Sequence, residues 1–400
     1  MVRTRYWLVL SVIAFMLCLA VPGLAQDEEF VFGVILVGPQ NDRGWSQSHY
    51  EAAEYVEANW PGARKVVFES LNPADAPETT LLDVATEMVS EGARVIFTTS
   101  DSFEEDTDTV AAAFPDVVFV NITGSNALDE DVPPNVGNFN GQMEAPRALA
   151  GCAAALTSET GKIGYLGALI NPETRRLASA SYLGARYCWE NYRGEDPDSL
   201  EFTVTWIGFW FHIPGVTLDP TEVANSFFDN GADVIISGID TSEAIVVAGQ
   251  RQRQGERVFA IPYGNRNGCE EAPEACIGVA YYNWGPAYLD TIEAVANGVW
   301  ESGWEWLPPV WDDLEANESS IIGYADSEGL PEEVKPQLDA FYEEMVAYST
   351  DPANEGTIFL WRGPLNLQDG TELAAEGEPV DLLDIWFLPQ LLEGMVGASQ

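Results

Sequence analysis

Basic residues are scarce in this chain: 18 lysines and arginines stand against 64 aspartates and glutamates, and the lysines are only Lys65, Lys162 and Lys335. A surface so acidic repels nucleic acid phosphates and anionic lipid headgroups, which excludes a polyanionic partner. Histidine is scarcer still, with only His49 and His212. Neither lies near a cysteine in sequence, and the cysteine spacing fits no zinc pattern, so no metal is expected. No segment beyond residue 25 is long and apolar enough to cross a bilayer. There is no GxSxG nucleophile elbow, no glycine-rich phosphate loop and no cofactor-binding motif, which removes the common hydrolase and nucleotide-binding classes.

The first residues read as an export signal. Arg3 and Arg5 form a basic start, Tyr6 to Ala20 an apolar core, and Gly23-Leu24-Ala25 a small-residue cleavage site, so residues 1–25 are expected to be removed before Gln26. Pro22-Gly23 and the shortness of the apolar run argue against an uncleaved anchor. Lipidation of Cys18 is the other route to a membrane, although the bulky Phe15-Met16-Leu17 precedes it. A secreted, periplasmic or cell-surface protein is therefore expected. Without Arg3 and Arg5 the formal charge moves from −46 to −48. Four cysteines then remain, and an oxidising compartment allows two bridges. Cys269 and Cys276, close in sequence around a proline-containing loop, are the expected pair. Cys152 with Cys188 follows by elimination.

Strand and helix patterns alternate along most of the chain. Strands are expected at Phe30 onward, Lys65–Glu69, Arg94–Thr99 and Val117–Thr123, with helices at Pro77–Glu91 and Phe103–Phe114. The rhythm resumes with strands at Lys162–Leu169, Phe202–Gly208, Asp233–Ile239 and Val258–Tyr263 and helices at Glu173–Asn191, Pro220–Asn230 and Ser242–Gln254. Such alternation predicts an α/β fold with parallel sheets covered on both faces, and the length suits two doubly wound lobes. An internal echo supports the split. Gly92-Ala93-Arg94-Val95-Ile96 and Gly231-Ala232-Asp233-Val234-Ile235 each precede an aspartate at one offset, Asp101 and Asp240. The expected N-terminal lobe takes residues 26–140 and 280–317, and the C-terminal lobe residues 141–279 and 318–400. Repeated crossings make a multi-strand hinge.

Ligands of open α/β sheets bind at the carboxyl ends of the strands. In the first lobe those ends carry Asn41, Asp42, Trp45, Ser100, Asp101 and Asn121; in the second, Trp210, Phe211, Asp240 and Tyr263; the crossover adds Trp284. Aromatic faces stack on flat rings, while carboxylates and amides accept from ring N–H, amino or hydroxyl groups. This set suits a purine base or nucleoside and offers nothing to a phosphate. Plainer roles exist for each residue. Trp45 and Trp210-Phe211 can pack in a core or at a hinge, and Asp42 can cap a helix. His49, one turn beyond Trp45, can face the cleft or pack.

At these residues the chain resembles a known family. GPQNDRGWSQSHYEAAEYVE, VTWIGFWF within Thr203–Phe211, GADVIISGIDTSEA at Gly231–Ala244, YYNWGPAY at Tyr281–Tyr288 and the closing LLDIWFLPQLLEGMVG are similar to the basic membrane protein (BMP) family of ABC transporter substrate-binding proteins, which includes purine nucleoside receptors. The likeness runs from about Phe30 to Gly397. It implies a type I periplasmic-binding fold that captures a purine nucleoside or base in the inter-lobe cleft and delivers it to an ABC permease, with membrane contact only through that permease or a lipid anchor. It places Asp42 and Trp45 in the N-terminal ligand-binding turn, and Asp240, Tyr263 and Trp284 at strand-end positions of the cleft. Ser100 and Phe103 fall at the family's serine-phenylalanine pair, here separated by Asp101 and Ser102. His212-Ile213-Pro214 stands where relatives commonly carry aspartate-proline.

Two other classes fit parts of this pattern. A ligand-sensing ectodomain would use the same cleft and signal to a partner. A nucleoside or glycoside hydrolase would use Asp42, Asp101 or Asp240 as an acid/base pair. No convincing nucleophile-base pair accompanies them, so a non-enzymatic receptor is the expectation.

Overall fold

The computed structural model describes residues 29–311, 314 and 319–400; the expected leader, with Cys18, lies outside them. All six residues of β1 (Phe30–Ile35) are buried, as a central parallel strand covered on both faces requires. Then come α1 (Trp45–Asn59), β2 (Ala63–Phe68), α2 (Leu81–Ser90), β3 (Ala93–Thr98), α3 (Glu104–Ala113), β4 (Val118–Ile122) and β5 (Val136–Gly141). These strands form a parallel sheet in the order β5-β4-β3-β1-β2. After α4 (Glu144–Thr157) the winding repeats through β6 (Lys162–Gly167), α5 (Pro172–Asn191), β7 (Glu201–Trp206), α6 (Pro220–Asp229), β8 (Val234–Gly238), α7 (Glu243–Gln252) and β9 (Phe259–Ile261). The second sheet runs β7-β6-β8-β9, also parallel, so the two lobes share one strand order. The sequence echo falls on equivalent strands, β3 and β8. Gly92 (φ +97°) and Gly231 (φ +92°) supply the left-handed residue that ends the preceding helix and starts each of them.

The remaining elements are β10 (Tyr263–Gly264), β11 (Val279–Tyr282), α8 (Gly285–Ala296), β12 (Trp304–Leu307), β13 (Ile322–Ala325), α9 (Lys335–Ser349), β14 (Leu365–Asn366), β15 (Glu372–Ala374), α10 (Leu382–Trp386) and β16 (Met395–Val396). They tie the lobes together. Helix α8 packs on α1, β12 extends the first sheet beside β5, and β16 extends the second beside β7. Between the lobes, β10, β11 and β13 form a small separate sheet. The chain thus crosses after β5, after β11 and after β12, which makes the hinge one of several strands.

Among the elements that the sequence pattern did not announce are β5 and α4. The Pro- and Asn-rich stretch 132–140 runs into β5, its asparagines committed to neighbouring segments. Asn135 donates to the carbonyls of Ala111, Phe114 and Val117, and Asn138 bridges Asn121 and Ala127. Every residue of helix α4 is buried, so it lacks the solvent-facing side of a surface helix. It lies directly against α5. A Cβ on Gly151 would sit 1.8 Å from the Ser181 carbonyl oxygen, and one on Gly184 2.0 Å from that of Ala148, so the two backbones touch. The Cys152–Cys188 disulfide joins the same pair of helices, and Cys269–Cys276 closes the loop after β10; both are the expected pairings.

Candidate functional site

The carboxyl ends of the two sheets meet around a narrow cavity of about 10 Å³, lined by Val37, Trp45, Ser100, Asp101, Thr123, Glu173, Trp210, Asp240 and Tyr263. The first lobe reaches it through the loops after β1, β3 and β4. After β1, Asp42 accepts from the amides of Gly44, Ser46 and Gln47 at 2.8–2.9 Å and so caps the entry to α1. That cap delivers Trp45, whose indole Nε1 donates to the Thr99 carbonyl at 2.6 Å. After β3, Ser100 accepts from the Ser102 amide, and Asp101 Oδ2 accepts from Asn171 Nδ2 at 2.9 Å across the cleft. The second lobe contributes Glu173, placed by a capping box in which Asn171 and Thr174 bond each other's backbone amides. Trp210, Asp240 and Tyr263 follow β7, β8 and β9.

The lobes are closed on each other. A Cβ on Gly44 would lie 2.0 Å from the Asp240 carbonyl oxygen, so glycine is what permits this approach. Asn265 donates to Glu51 at 3.0 Å, and Arg43 pairs with Glu270 at 2.8 Å at the rim.

Behind Trp45 stands a column of parallel rings. Tyr282 stacks on Trp284 at 4.4 Å, Trp284 on His49 at 4.8 Å, His49 on Tyr288 at 5.9 Å and Tyr288 on Phe97 at 3.7 Å. The Trp45 ring is nearly perpendicular to three of them, Tyr282, Trp284 and His49. Trp284 Nε1 donates to Ser48, and His49 Nδ1 meets the Tyr288 hydroxyl at 2.9 Å. Burial holds the His49 imidazole well below its ordinary range, hence neutral. This column braces Trp45 from the interior and belongs to the first lobe and hinge rather than to the cavity wall.

Carboxyl groups dominate the polar part of the lining, which among the described residues holds no lysine, arginine or histidine. Burial pushes Asp101 up, Glu173 up to about 7, and Asp240 well above the carboxylate range. Two guanidiniums lie behind the lining. Arg176 pairs with the buried Glu144 at 2.9 Å and lies 4.1 Å over the Trp386 ring, while Arg147 lies 4.1 Å over the Tyr263 ring and donates through Nη1 to the Ser237 carbonyl, its Nε and Nη2 having no hydrogen-bond partner. Such an arrangement suits a neutral or donor-rich ligand with a flat apolar face, and disfavours an anion.

The structure brings together six residues singled out from sequence: Trp45, Ser100, Asp101, Trp210, Asp240 and Tyr263. Others sit nearby without lining the cavity. Asn41 is exposed, Asp42 is engaged as the α1 cap, Phe103 is buried beneath the turn after β3, Phe211 packs edge-on against Phe209, and Trp284 lies within the ring column. Asn121, behind the wall, donates to Thr98 and Ser100. Val37, Thr123 and Glu173 were missed. Glu173 had a signal: α5 follows β6 as α1 follows β1, so the echo, extended backwards, matches the start of α5 to the turn that carries Trp45.

The sequence matches the Bmp family, described as ABC transporter substrate-binding protein PnrA-like, over residues 30–309. It is 28% identical to a purine-binding protein of Brucella abortus over 89% of each chain. It is also 28% identical to a putative ABC transporter glucose-binding protein of Haloferax volcanii, over 81% of this chain and 74% of that one. Among solved structures, an ABC transporter solute-binding protein from Conexibacter woesei superimposes with TM-score 0.56 at 20% identity, covering 80% of this chain and 96% of that one. One from Aeropyrum pernix does so with TM-score 0.60 at 18% identity, covering 79% and 86%. These two share the fold. The chain belongs to the Bmp family of PnrA-like ABC transporter substrate-binding proteins.

Proposed function

We propose that this protein captures a purine base or nucleoside between its lobes, outside the cytoplasm, and hands it unchanged to an ABC permease. The observation that carries the reading is the lining itself: Trp45, Trp210 and Tyr263 offer ring faces, and three carboxyl groups surround them with no cation. A planar heterocycle gains from stacking on such faces, and its N–H and amino groups pair with carboxyl oxygens. In this closed form the cavity has room for roughly one water molecule, so a base would enter only as the lobes part about the hinge. The working lobes are residues 26–140 with 280–317 and residues 141–279 with 318–400, clamping by rotation about the three-strand hinge. The purine-binding relative supports this ligand class, and the glucose-binding relative makes a hexose the alternative to exclude.

Mass spectrometry of small molecules released from the purified, denatured protein tests the reading directly. A purine is the expected species. Recovery of a hexose, together with calorimetric binding of glucose but not of adenine or adenosine, would overturn it.

A further inference from the structure

Three carboxyl groups from separate segments face the cavity, and their surroundings differ. Asp101 is satisfied by Asn171 and Ser100. Asp240 is buried, lines the cavity, and has an Oδ1 without any hydrogen-bond partner. Glu173 is buried at the mouth of α5 one turn from Arg176, but that guanidinium is taken by Glu144. An ionised carboxylate left unpaired in such a site is strongly disfavoured, and adjacent carboxylates repel one another. A proton on each removes both penalties and turns each group into an O–H donor beside a C=O acceptor.

We propose that Glu173 and Asp240 meet the ligand as carboxylic acids, and that the ligand is an uncharged heterocycle carrying a ring-nitrogen acceptor next to an N–H donor. The pair of contacts is O–H···N from the acid to the ring and N–H···O from the ring to the acid. Aminopurines present that edge, whereas a hexose has no ring nitrogen to accept. The inference rests on the purine reading and narrows it to a bound edge and a protonation state.

The groups facing Glu173 are Arg176 on its own helix, Glu144 and Arg147 on α4, Asp101 after β3, Asp240 after β8, and the phenols of Tyr165, Tyr263 and Tyr282. Burial is the largest influence and raises the Glu173 carboxyl to about 7; Arg176 opposes it, and Asp101 and Glu144 reinforce it. Burial likewise raises Asp240 well above the carboxylate range, reinforced by Asp42, Glu173 and Asp101. Binding that needs the acid form of Glu173 is complete below that value and weakens as pH rises through it. The expected loss for a neutral ligand is about 100-fold between about pH 6 and about pH 9, with roughly half a proton taken up per ligand near pH 7.

The test is calorimetry of the full chain with adenine, which stays uncharged over this range, in buffers of different ionisation heat. Proton uptake that grows with pH, alongside the ~100-fold weakening, is the expected result. E173Q, whose amide donates but cannot ionise, is expected to show a much flatter pH profile than the wild type, whatever its affinity. Constant wild-type affinity, proton release, or an E173Q profile as steep as the wild type would overturn the proposal while leaving purine capture standing. Failure of adenine to bind at about pH 6 while glucose binds would overturn both.

Discussion

Gly44→Ala is expected to separate ligand affinity from folding. Gly44 belongs to the first lobe and the backbone it touches, Asp240, to the second, so the clash exists only when the lobes are shut. A Cβ there would meet the Asp240 carbonyl oxygen at 2.0 Å and its carbon at 2.7 Å, against about 3.4 Å for an ordinary contact. Neither partner is a flexible side-chain end, so the lobes must stand roughly 1.4 Å further apart at this point. That displacement stretches the 2.9 Å Asn171–Asp101 and 3.0 Å Asn265–Glu51 hydrogen bonds out of range. The Arg43–Glu270 pair, being exposed, contributes little. Two hydrogen bonds to charged groups are worth about 1.5–3 kcal/mol each when well buried, and less here because Glu51 is partly solvated. A loss of about 2–4 kcal/mol follows, or roughly 30- to 1,000-fold in Kd. Thermal unfolding without ligand should be unchanged, because the open form relieves the clash. Calorimetry supplies the affinity, and solution scattering reports whether saturating ligand still shrinks the radius of gyration. A variant that binds and compacts like the wild type would refute the reasoning.

Trp45→Ala should cost affinity on the order of 1–3 kcal/mol, by analogy with base stacking. It should also cost about 3–5 kcal/mol of stability, since the indole holds the Thr99 carbonyl and abuts the ring column. Unchanged calorimetric affinity for every purine tried would remove Trp45 from the site. Replacing both Cys152 and Cys188 by alanine opens a bridge spanning 36 residues, and loop entropy alone puts the cost at about 4 kcal/mol. Denaturant midpoints compared with and without reductant check this; a wild-type midpoint insensitive to reduction would show that the α4–α5 backbone contact suffices alone.

Alternating strand and helix patterns, the glycine-led echo, the disulfide pairs and both strand-end aspartates were legible in the sequence. They rest on local chemistry, namely burial period, a left-handed glycine at a helix end and the short separation of Cys269 from Cys276, with Cys152–Cys188 then left as the remaining pair. Helix α4 and strand β5 were not, because one is buried on all sides and has no solvent-facing side to mark it, and distant carbonyls occupy the asparagines of the other. The same division runs through the site. Sequence placed Trp45 and Trp284 together at strand ends, but only the tertiary structure put one on the cavity wall and the other inside the ring column. Val37, Thr123 and Glu173 became lining residues only because the opposite lobe closes over them. A residue beyond the end of a strand has lost the period that tells inside from outside, and its neighbours are set by how two distant halves of the chain meet.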